Sequence, residues 1–343
     1  MHDSLLMPPP SSCPELIRVA HRRGIHLQEA DLWLDPPFAT ARAFVSHAHS
    51  DHVARHKVAY CTELTRDLML SRGSAGKRTD FRILSAGQTM ELDGFELRLL
   101  PAGHILGSAM LHVTRMGDGA TLLYTGDYKL RRGITGEAAE LREADTLIME
   151  TTFGLPRYQF PPVGEIADSM VRFARETIAA GQIPLLLGYS LGKAQEILAA
   201  MRSVGLPVML HSSVMAMTEL LAPHLGELPE FSKLDAASAA GHILILPPNA
   251  PQIDALRKAG NCRTAMVSGW GLDKSAKYRY RVDEVFPLSD HADYPELIQT
   301  VETVKPRLVY TVHGYTREFA ADLRKRGFDA RALGQEEQLD FLL

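Results

Sequence analysis

The sequence predicts an α/β protein built as two lobes, strand-rich in its first part and alternating helix with strand in its second. Two observations carry this expectation. Apolar runs before residue 155 are short and punctuated by Gly and Asp, whereas from Gly164 onward stretches of helical apolar spacing are interleaved with short buried runs. With 343 residues, 45% hydrophobic and 23% charged, the chain can bury one large core or two smaller ones.

Taken in order, LWLDP, ARAFVSHAHS, FRILSAGQTMEL, FELRLLPAGH, AMLHVTRMGDG and ATLLYTGDY read as strands of an antiparallel sheet with few helices. EIADSMVRFARETIAAG then has helical spacing, and IPLLLGYS is a buried run. LGKAQEILAAMRSVG, PVMLHSS, AMTELLAPHLGEL, GHILILPP, APQIDALRKAG and TAMVSGW continue as helix, strand, helix, strand, helix, strand, the pattern of a parallel sheet. Pro156 to Lys274 is therefore marked as a separate lobe, between a first part at 1–155 and a tail at 275–343. The tail, with VDEVFPLS, YPELIQTVETV, RLVYTVHG and REFAADLRKRG, needs a partner sheet, and the first lobe is the expected one.

Neither MHDSLLMPPPSS nor any later stretch supplies a signal-peptide core or the roughly 20 uncharged residues of a membrane span, so no membrane association and a cytoplasmic location are expected. Cys13, Cys61 and Cys262 are far apart, which suggests neither a disulfide framework nor a thiolate zinc site. A net charge of −4 argues against holding nucleic acid by bulk electrostatics alone. A local basic surface is still open in DKSAKYRYR, where Lys274, Lys277, Arg279 and Arg281 interleave with Tyr278 and Tyr280. Such a mixture suits phosphates and bases, and equally suits an exposed strand of solvated charges. KLRR at Lys129 to Arg132 is a weaker candidate, and Lys193 either meets a backbone phosphate or is solvated.

In ARAFVSHAHSDH an apolar strand runs into three histidines and an aspartate within six residues, His47, His49, Asp51 and His52. Neutral imidazole and carboxylate suit zinc, manganese or iron, and the lack of thiolates suggests a hydrolytic centre with an open position. Four donors on one loop do not close two metal shells. His104, Asp127 and His313 each end an apolar run beside a glycine, and together they supply enough donors for two metals sharing a carboxylate. His21, His26, His56, His112, His211, His224 and His242 are read as ordinary core or surface histidines.

HAHSDH, AGHILGSA, YTGD and a late HG, in that order, resemble the metallo-beta-lactamase superfamily. LIMETTFG, SLGKAQE, LSDHADY and VHGY resemble its beta-CASP branch of nucleic-acid-processing nucleases, and the closing VHGYTREFAADLRKRGFDARAL resembles the bacterial ligase-associated DNA exonucleases of that branch. The resemblance implies an αββα sandwich, 1–155 and 275–343, interrupted by a parallel α/β beta-CASP domain at 156–274. It also implies that His47, His49 and His104 hold one divalent ion, that Asp51, His52 and His313 hold a second, and that Asp127 bridges them. Asp35 resembles the superfamily's first acidic motif, which supports the histidine loop by hydrogen bonds rather than by binding metal; otherwise it is a turn residue before Pro36.

Glu150 and His291 lie outside the seven-ligand set, and a carboxylate beside a histidine favours the imidazolium that protonates a leaving oxygen. Zinc is expected, with manganese or iron compatible. The expected activity is phosphodiester hydrolysis by a DNA exonuclease in DNA repair, in association with an ATP-dependent DNA ligase. DNA is favoured over RNA, although RNA-processing members carry histidine at the position of His313. The alternatives are an RNA-processing nuclease of the same fold and a small-molecule metallo-hydrolase. VSGW departs from the Ser-Gly-Met of the ribonuclease J-like members, so no end-phosphate pocket is carried over to Ser268.

Overall fold

The structure is a computed structural model that describes residues 13–21, 23–258 and 261–333; MHDSLLMPPPSS lies outside them. The first six strands, β1 (Val19–His21), β2 (Ile25–Leu27), β3 (Leu32–Leu34), β4 (Arg42–Phe44), β5 (Val58–Cys61) and β6 (Asp80–Ile83), form one sheet in chain order. Only β1 to β3 pair antiparallel; β3, β4, β5 and β6 are parallel neighbours, against the expectation of an antiparallel first lobe. Parallel strands need a crossover between them. Between β4 and β5 the crossover is the segment that carries HAHSDH, and between β5 and β6 it is α1 (Glu63–Ser71), capped by the Thr62 side chain, which accepts the Thr65 N–H.

The second sheet begins as an antiparallel meander of β7 (Thr89–Leu92), β8 (Phe95–Pro101), β9 (Ala109–Arg115) and β10 (Thr121–Tyr124), and β11 (Thr146–Thr151) adds in parallel. The rhythm then changes as expected. After α2 (Val163–Ala179) come β12 (Ile183–Leu187), α3 (Lys193–Ala200), β13 (Val208–Leu210), α4 (Ser212–Leu221), β14 (Phe231–Lys233), β15 (Ile243–Leu246), α5 (Gln252–Lys258), β16 (Cys262–Val267), α6 (Ala276–Tyr280) and β17 (Glu284–Phe286). Their strands make a third, wholly parallel sheet in the order β14-β13-β15-β12-β16-β17. The chain closes with α7 (Tyr294–Val304), β18 (Leu308–Gly314), α8 (Thr316–Lys325) and β19 (Ala330–Ala332); β18 and β19 extend the second sheet beyond β11.

Two expectations about the tail change. The strand in VDEVFPLS does not return to the first lobe: β17 pairs with β16, where the Asp283 carboxylate accepts both the N–H and the hydroxyl of Thr264, at 2.7 and 2.9 Å. KYRY is a helical turn and not an exposed strand, because Lys277 reaches Glu284 at 2.9 Å while Arg279 turns back to Asp273 at 3.3 Å.

Four layers result from where the apolar side chains go. Leu34 and Phe44 of the first sheet meet Leu97, Leu111 and Tyr124 of the second in a core between the sheets. On the second sheet's outer face Leu147 and Val309 pack against Leu297, Val301, Phe319 and Leu323 of α7 and α8. On the first sheet's outer face Ala43 and Ala59 meet Leu68 of α1 together with Leu191, Met217 and Leu221 of the third-sheet lobe. The αββα sandwich thus borrows part of one helical layer from that lobe, whose own sheet is covered by α2, α3 and α4 on one face and α5 on the other.

Candidate metal centre

The β4–β5 crossover brings the histidine loop to the end of the first sheet, facing the ends of β8, β10, β11 and β18. His47 Nε2 and His104 Nε2 each lie 3.1 Å from His49 Nδ1. Asp127 Oδ2 faces the same point, 3.6 Å from His47 Nε2, 3.9 Å from His104 Nε2 and 3.2 Å from His52 Nε2. Among the described residues, His47, His49, His104 and Asp127 form a group whose ligand atoms all lie within 4.8 Å of one another.

The outward nitrogens decide what the inward ones offer. His49 Nε2 meets the carbonyl of Leu191 at 3.2 Å and His104 Nδ1 meets that of Asp290 at 2.9 Å; a carbonyl only accepts, so both outward nitrogens carry the proton. His47 Nδ1 lies 2.9 Å from Ser46 Oγ, whose own hydrogen goes to Asp35 Oδ2, so it too is an N–H. Three imidazole lone pairs therefore converge on one point beside a carboxylate. That arrangement is repulsive unless a cation occupies it, and the 3.1 Å spacings approach the roughly 3.3 Å between nitrogens sharing a tetrahedral zinc at about 2.0–2.1 Å. The residues present fit a divalent metal ion. Burial, reinforced by the neighbouring imidazoles, keeps His47 well below the ordinary histidine pKa and His104 down to about 3, so these rings are neutral as ligation requires.

Asp35 anchors the loop from behind. It accepts the Ser46 N–H at 2.7 Å, the Ser46 hydroxyl, His52 Nδ1–H at 3.0 Å and the Tyr124 hydroxyl at 2.9 Å. Its oxygens are committed to donors, although it stands close enough to His47 and His52 to form a three-residue group with them. Burial opposes a charge on His52, but Asp127 and Asp35 on either side outweigh it and hold its pKa well above the usual value.

Asp51 and His313, the other two members of the expected second set, lie on the open side. The Asp51 side chain is exposed, with Oδ2 at 3.7 Å from His52 Nε2, and the His313 ring centre is 5.7 Å from that of His52. His313 adopts a left-handed φ of 55° where the β11–β18 register shifts between Glu150 and Thr151. Neither residue belongs to a tight metal-ligating group among the described residues; with Asp35 and Tyr124 both line a cavity of about 360 Å³.

His291 Nδ1 is 2.9 Å from both oxygens of the buried Glu150, which also accept the Tyr128 N–H at 2.8 Å and the Thr152 hydroxyl. Burial disfavours an imidazolium, but Glu150 and then Asp127 outweigh it and raise His291 to about 10. Its ring stands 4.8 Å from that of His104, and it opens with His49, Asp51 and Asp127 onto a cleft of about 780 Å³ whose far wall includes Tyr189, Asn249 and Trp270.

The basic candidates are arranged differently from expectation. Lys193 is not solvated: it is buried, 3.0 Å from Glu196 and 3.6 Å from Asp290. KLRR is not a basic surface as a whole, since Lys129 is buried on Glu196 at 3.0 Å and Arg131 pairs with Glu296. Lys274, Lys277 and Arg279 are exposed and do not line the cleft, where Arg72 is the one arginine or lysine among the described residues. Three of the histidines set aside have structural partners: His56 lies 3.1 Å from the Thr40 hydroxyl, His112 meets the Glu143 carbonyl, and His211 accepts the Ser213 N–H at the start of α4. Sequence reasoning passed over Ser46, Tyr124, Leu191, Glu196 and Asp290. Only Glu196 and Asp290, charges inside apolar surroundings, carried any signal.

Fold and site define a metallo-hydrolase. Residues 276–333 match the family model described as "Zn-dependent metallo-hydrolase RNA specificity domain". The chain is 44% identical over 323 residues to the "Probable DNA ligase" of Opitutus terrae, covering 94% of this chain and 32% of that protein. It is 32% identical over 184 residues to an "RNase J-like protein" of Methanocaldococcus jannaschii, covering 47% and 43%, and 23% identical over 300 residues to the "DNA cross-link repair protein SNM1" of Arabidopsis thaliana, covering 79% and 60%. In each case the chain spans less than two thirds of the relative. A crystal structure of a protein of unknown function from Enterococcus faecalis V583 superposes with a TM-score of 0.58 at 15% identity, over 87% of this chain and 79% of that one. Together these likenesses indicate the metallo-beta-lactamase beta-CASP nuclease family. No helix among the described residues is long and apolar enough to cross a membrane.

Proposed function

We propose that this protein is a metal-dependent DNA exonuclease of DNA repair, acting in the cytoplasm alongside an ATP-dependent DNA ligase. The observation that carries the nuclease reading is that Asp127 belongs both to the converging set with His47, His49 and His104 and to a group with the Glu150–His291 pair. In this reading His47, His49 and His104 hold one divalent ion and Asp51, His52 and His313 a second, with Asp127 between them; zinc is the expected metal, and manganese and iron suit the same donors. Divalent ions there supply Lewis-acid polarisation of a phosphodiester and acidify an attacking water. Glu150 keeps His291 protonated through Nδ1, leaving its other nitrogen to give a proton to the departing oxygen. Asp35 orients His52 and, through Ser46, His47. Lys274, Lys277 and Arg279, exposed outside the cleft, stay proposed contacts of the strand, whereas Lys193, buried against Glu196 and Asp290, is not carried forward as one. The reading divides the chain into 1–155, an inserted 156–274 and 275–343, and the β16–β17 pairing supports carrying the inserted unit on to Phe286.

The choice of DNA rests on the Opitutus protein: a segment 44% identical to nearly all of this chain makes up 32% of a polypeptide whose name is that of a DNA ligase. RNA is the second reading, favoured by the description of the family model over 276–333. Incubation of zinc- or manganese-loaded protein with end-labelled single- and double-stranded DNA and RNA of one sequence decides between them. Mononucleotide release from DNA at rates above those for RNA is expected; RNA cleaved much faster with either metal refutes the DNA reading, and internal cuts refute the exonuclease.

A further inference from the structure

Of the two carbonyls that fix the tautomers of His49 and His104, one comes from the inserted lobe and the other from the segment just beyond its last strand. Leu191 follows β12 in the inserted lobe, 142 residues from His49, and Asp290 follows β17, 186 residues from His104. Both segments are tied to the sandwich by one buried ionic chain. Lys129, after the Asp127 loop, reaches Glu196 of α3 at 3.0 Å; Glu196 holds Lys193 at 3.0 Å; and Lys193 stands 3.6 Å from Asp290. Lys129 also donates to the Ser289 carbonyl at 3.4 Å, and Arg131 to the carbonyls of Ser289 and His291 at 3.3 and 2.7 Å. Lys129, Lys193 and Glu196 are each at most 3% exposed. Buried charges of this kind are costly unless paired, so an apolar interface would serve adhesion equally well. What an ionic chain adds is a defined register between the lobes, and here the register sets where two carbonyls stand relative to two imidazoles.

We propose that the inserted lobe is part of the metal centre: the chain Lys129–Glu196–Lys193–Asp290 holds the Leu191 and Asp290 carbonyls in place, and through them metal binding and lobe docking are coupled. Lys129, Lys193 and Glu196 are thereby positioning residues, and the coupling is reciprocal, since whatever docks the lobe tightens the metal and the metal docks the lobe. The inference rests on the metal-centre reading and is independent of whether the substrate is DNA or RNA.

The test is zinc affinity measured by competition with a chromophoric chelator on the full chain, for wild type, Glu196→Gln and Lys193→Met, each well below its melting temperature. Loss of an outer hydrogen-bonding group costs metal affinity about 10–100-fold. That range is expected for both variants, with added zinc raising their melting temperatures less than that of a control, because stabilisation by a ligand falls as its affinity falls. The control is Met170→Ala, a cavity in the inserted lobe's core, which lowers melting temperature and leaves zinc affinity unchanged. Glu196→Asp, which keeps the charge, is expected to fall between wild type and Glu196→Gln. Zinc affinity within twofold of wild type in both Glu196→Gln and Lys193→Met overturns the proposal, as does an equal loss in Met170→Ala. If Glu196→Gln does not fold, Lys193→Met and Glu196→Asp carry the same decision. Failure of the nuclease reading is seen separately, as metal bound with wild-type affinity and no cleavage of any nucleic acid.

Discussion

Replacing Asp35 by asparagine changes one oxygen to an amide nitrogen without changing shape, and its consequences can be worked donor by donor. Oδ1 accepts the Ser46 N–H at 2.7 Å, and a backbone donor cannot turn away, so the asparagine oxygen goes there. The new NH2 then faces the Ser46 hydroxyl, the Tyr124 hydroxyl at 2.9 Å and His52 Nδ1 at 3.0 Å. Both hydroxyls can rotate and accept. His52 can accept only by moving its proton from Nδ1 to Nε2, the nitrogen that faces Asp127 at 3.2 Å and is needed as a ligand. Hydrogen bonds to a charged group contribute roughly 1.5–3 kcal/mol each, so the net loss of one or two gives about 2–4 kcal/mol. At about 2 °C per kcal/mol for a large domain, the melting temperature falls by roughly 4–8 °C. Zinc affinity should fall about 10–100-fold, because a tautomer is displaced and no ligand is removed. Chelator competition and thermal melts with and without zinc measure both. An Asp35→Asn protein with wild-type zinc affinity refutes the reasoning, whatever its stability.

Three further outcomes follow from the same geometry. His291→Ala should abolish turnover while metal content, measured by atomic absorption, stays at the wild-type value; loss of metal would move His291 into the ligand set. In metal-free protein the Glu150–His291 pair contributes stability present in full below the unfolded histidine pKa near 6.5 and lost as pH rises through about 10. Urea unfolding from pH 7 to 10 in the presence of a chelator should therefore show a shallower decline for Glu150→Gln than for wild type, and parallel curves would count against the pair. Gly192→Ala places a Cβ 2.4 Å from Ile105 Cγ2 at a φ of 88°, so a loss of about 1–3 kcal/mol from overpacking alone, with further loss from the backbone strain, should appear as a lowered urea midpoint.

Much of the architecture was legible because periodicity reports burial. The alternation from Gly164 to Trp270 produced the parallel sheet as read, since each helix must cover the strand pair it joins. The first lobe misled where the chain crosses over without a long helix: β3 to β6 look like meander strands locally, and only the pairing shows them parallel. β17 was misplaced for a similar reason, as nothing in VDEVFPLS says which of two sheets has a free edge. The basic residues were misjudged because sequence gives a charge its sign but not its partner. Lys193 and Lys129 read as phosphate contacts or solvated surface until Glu196 and Asp290 stand beside them.

On its own, the sequence determined which donors exist and that they end apolar runs: His47, His49, Asp51 and His52 on one loop, with His104, Asp127 and His313 elsewhere. Residue type and strand ends are local properties, and chemistry restricts what such a set binds. Tertiary structure decided how those donors are used. It gathered His47, His49, His104 and Asp127 while leaving Asp51 and His313 on the open side, and it chose each ring's tautomer through partners as distant as Leu191 and Asp290. A histidine's proton goes to whichever acceptor the fold puts beside it, and for His49 and His104 that acceptor lies 142 and 186 residues away, beyond the reach of any local pattern.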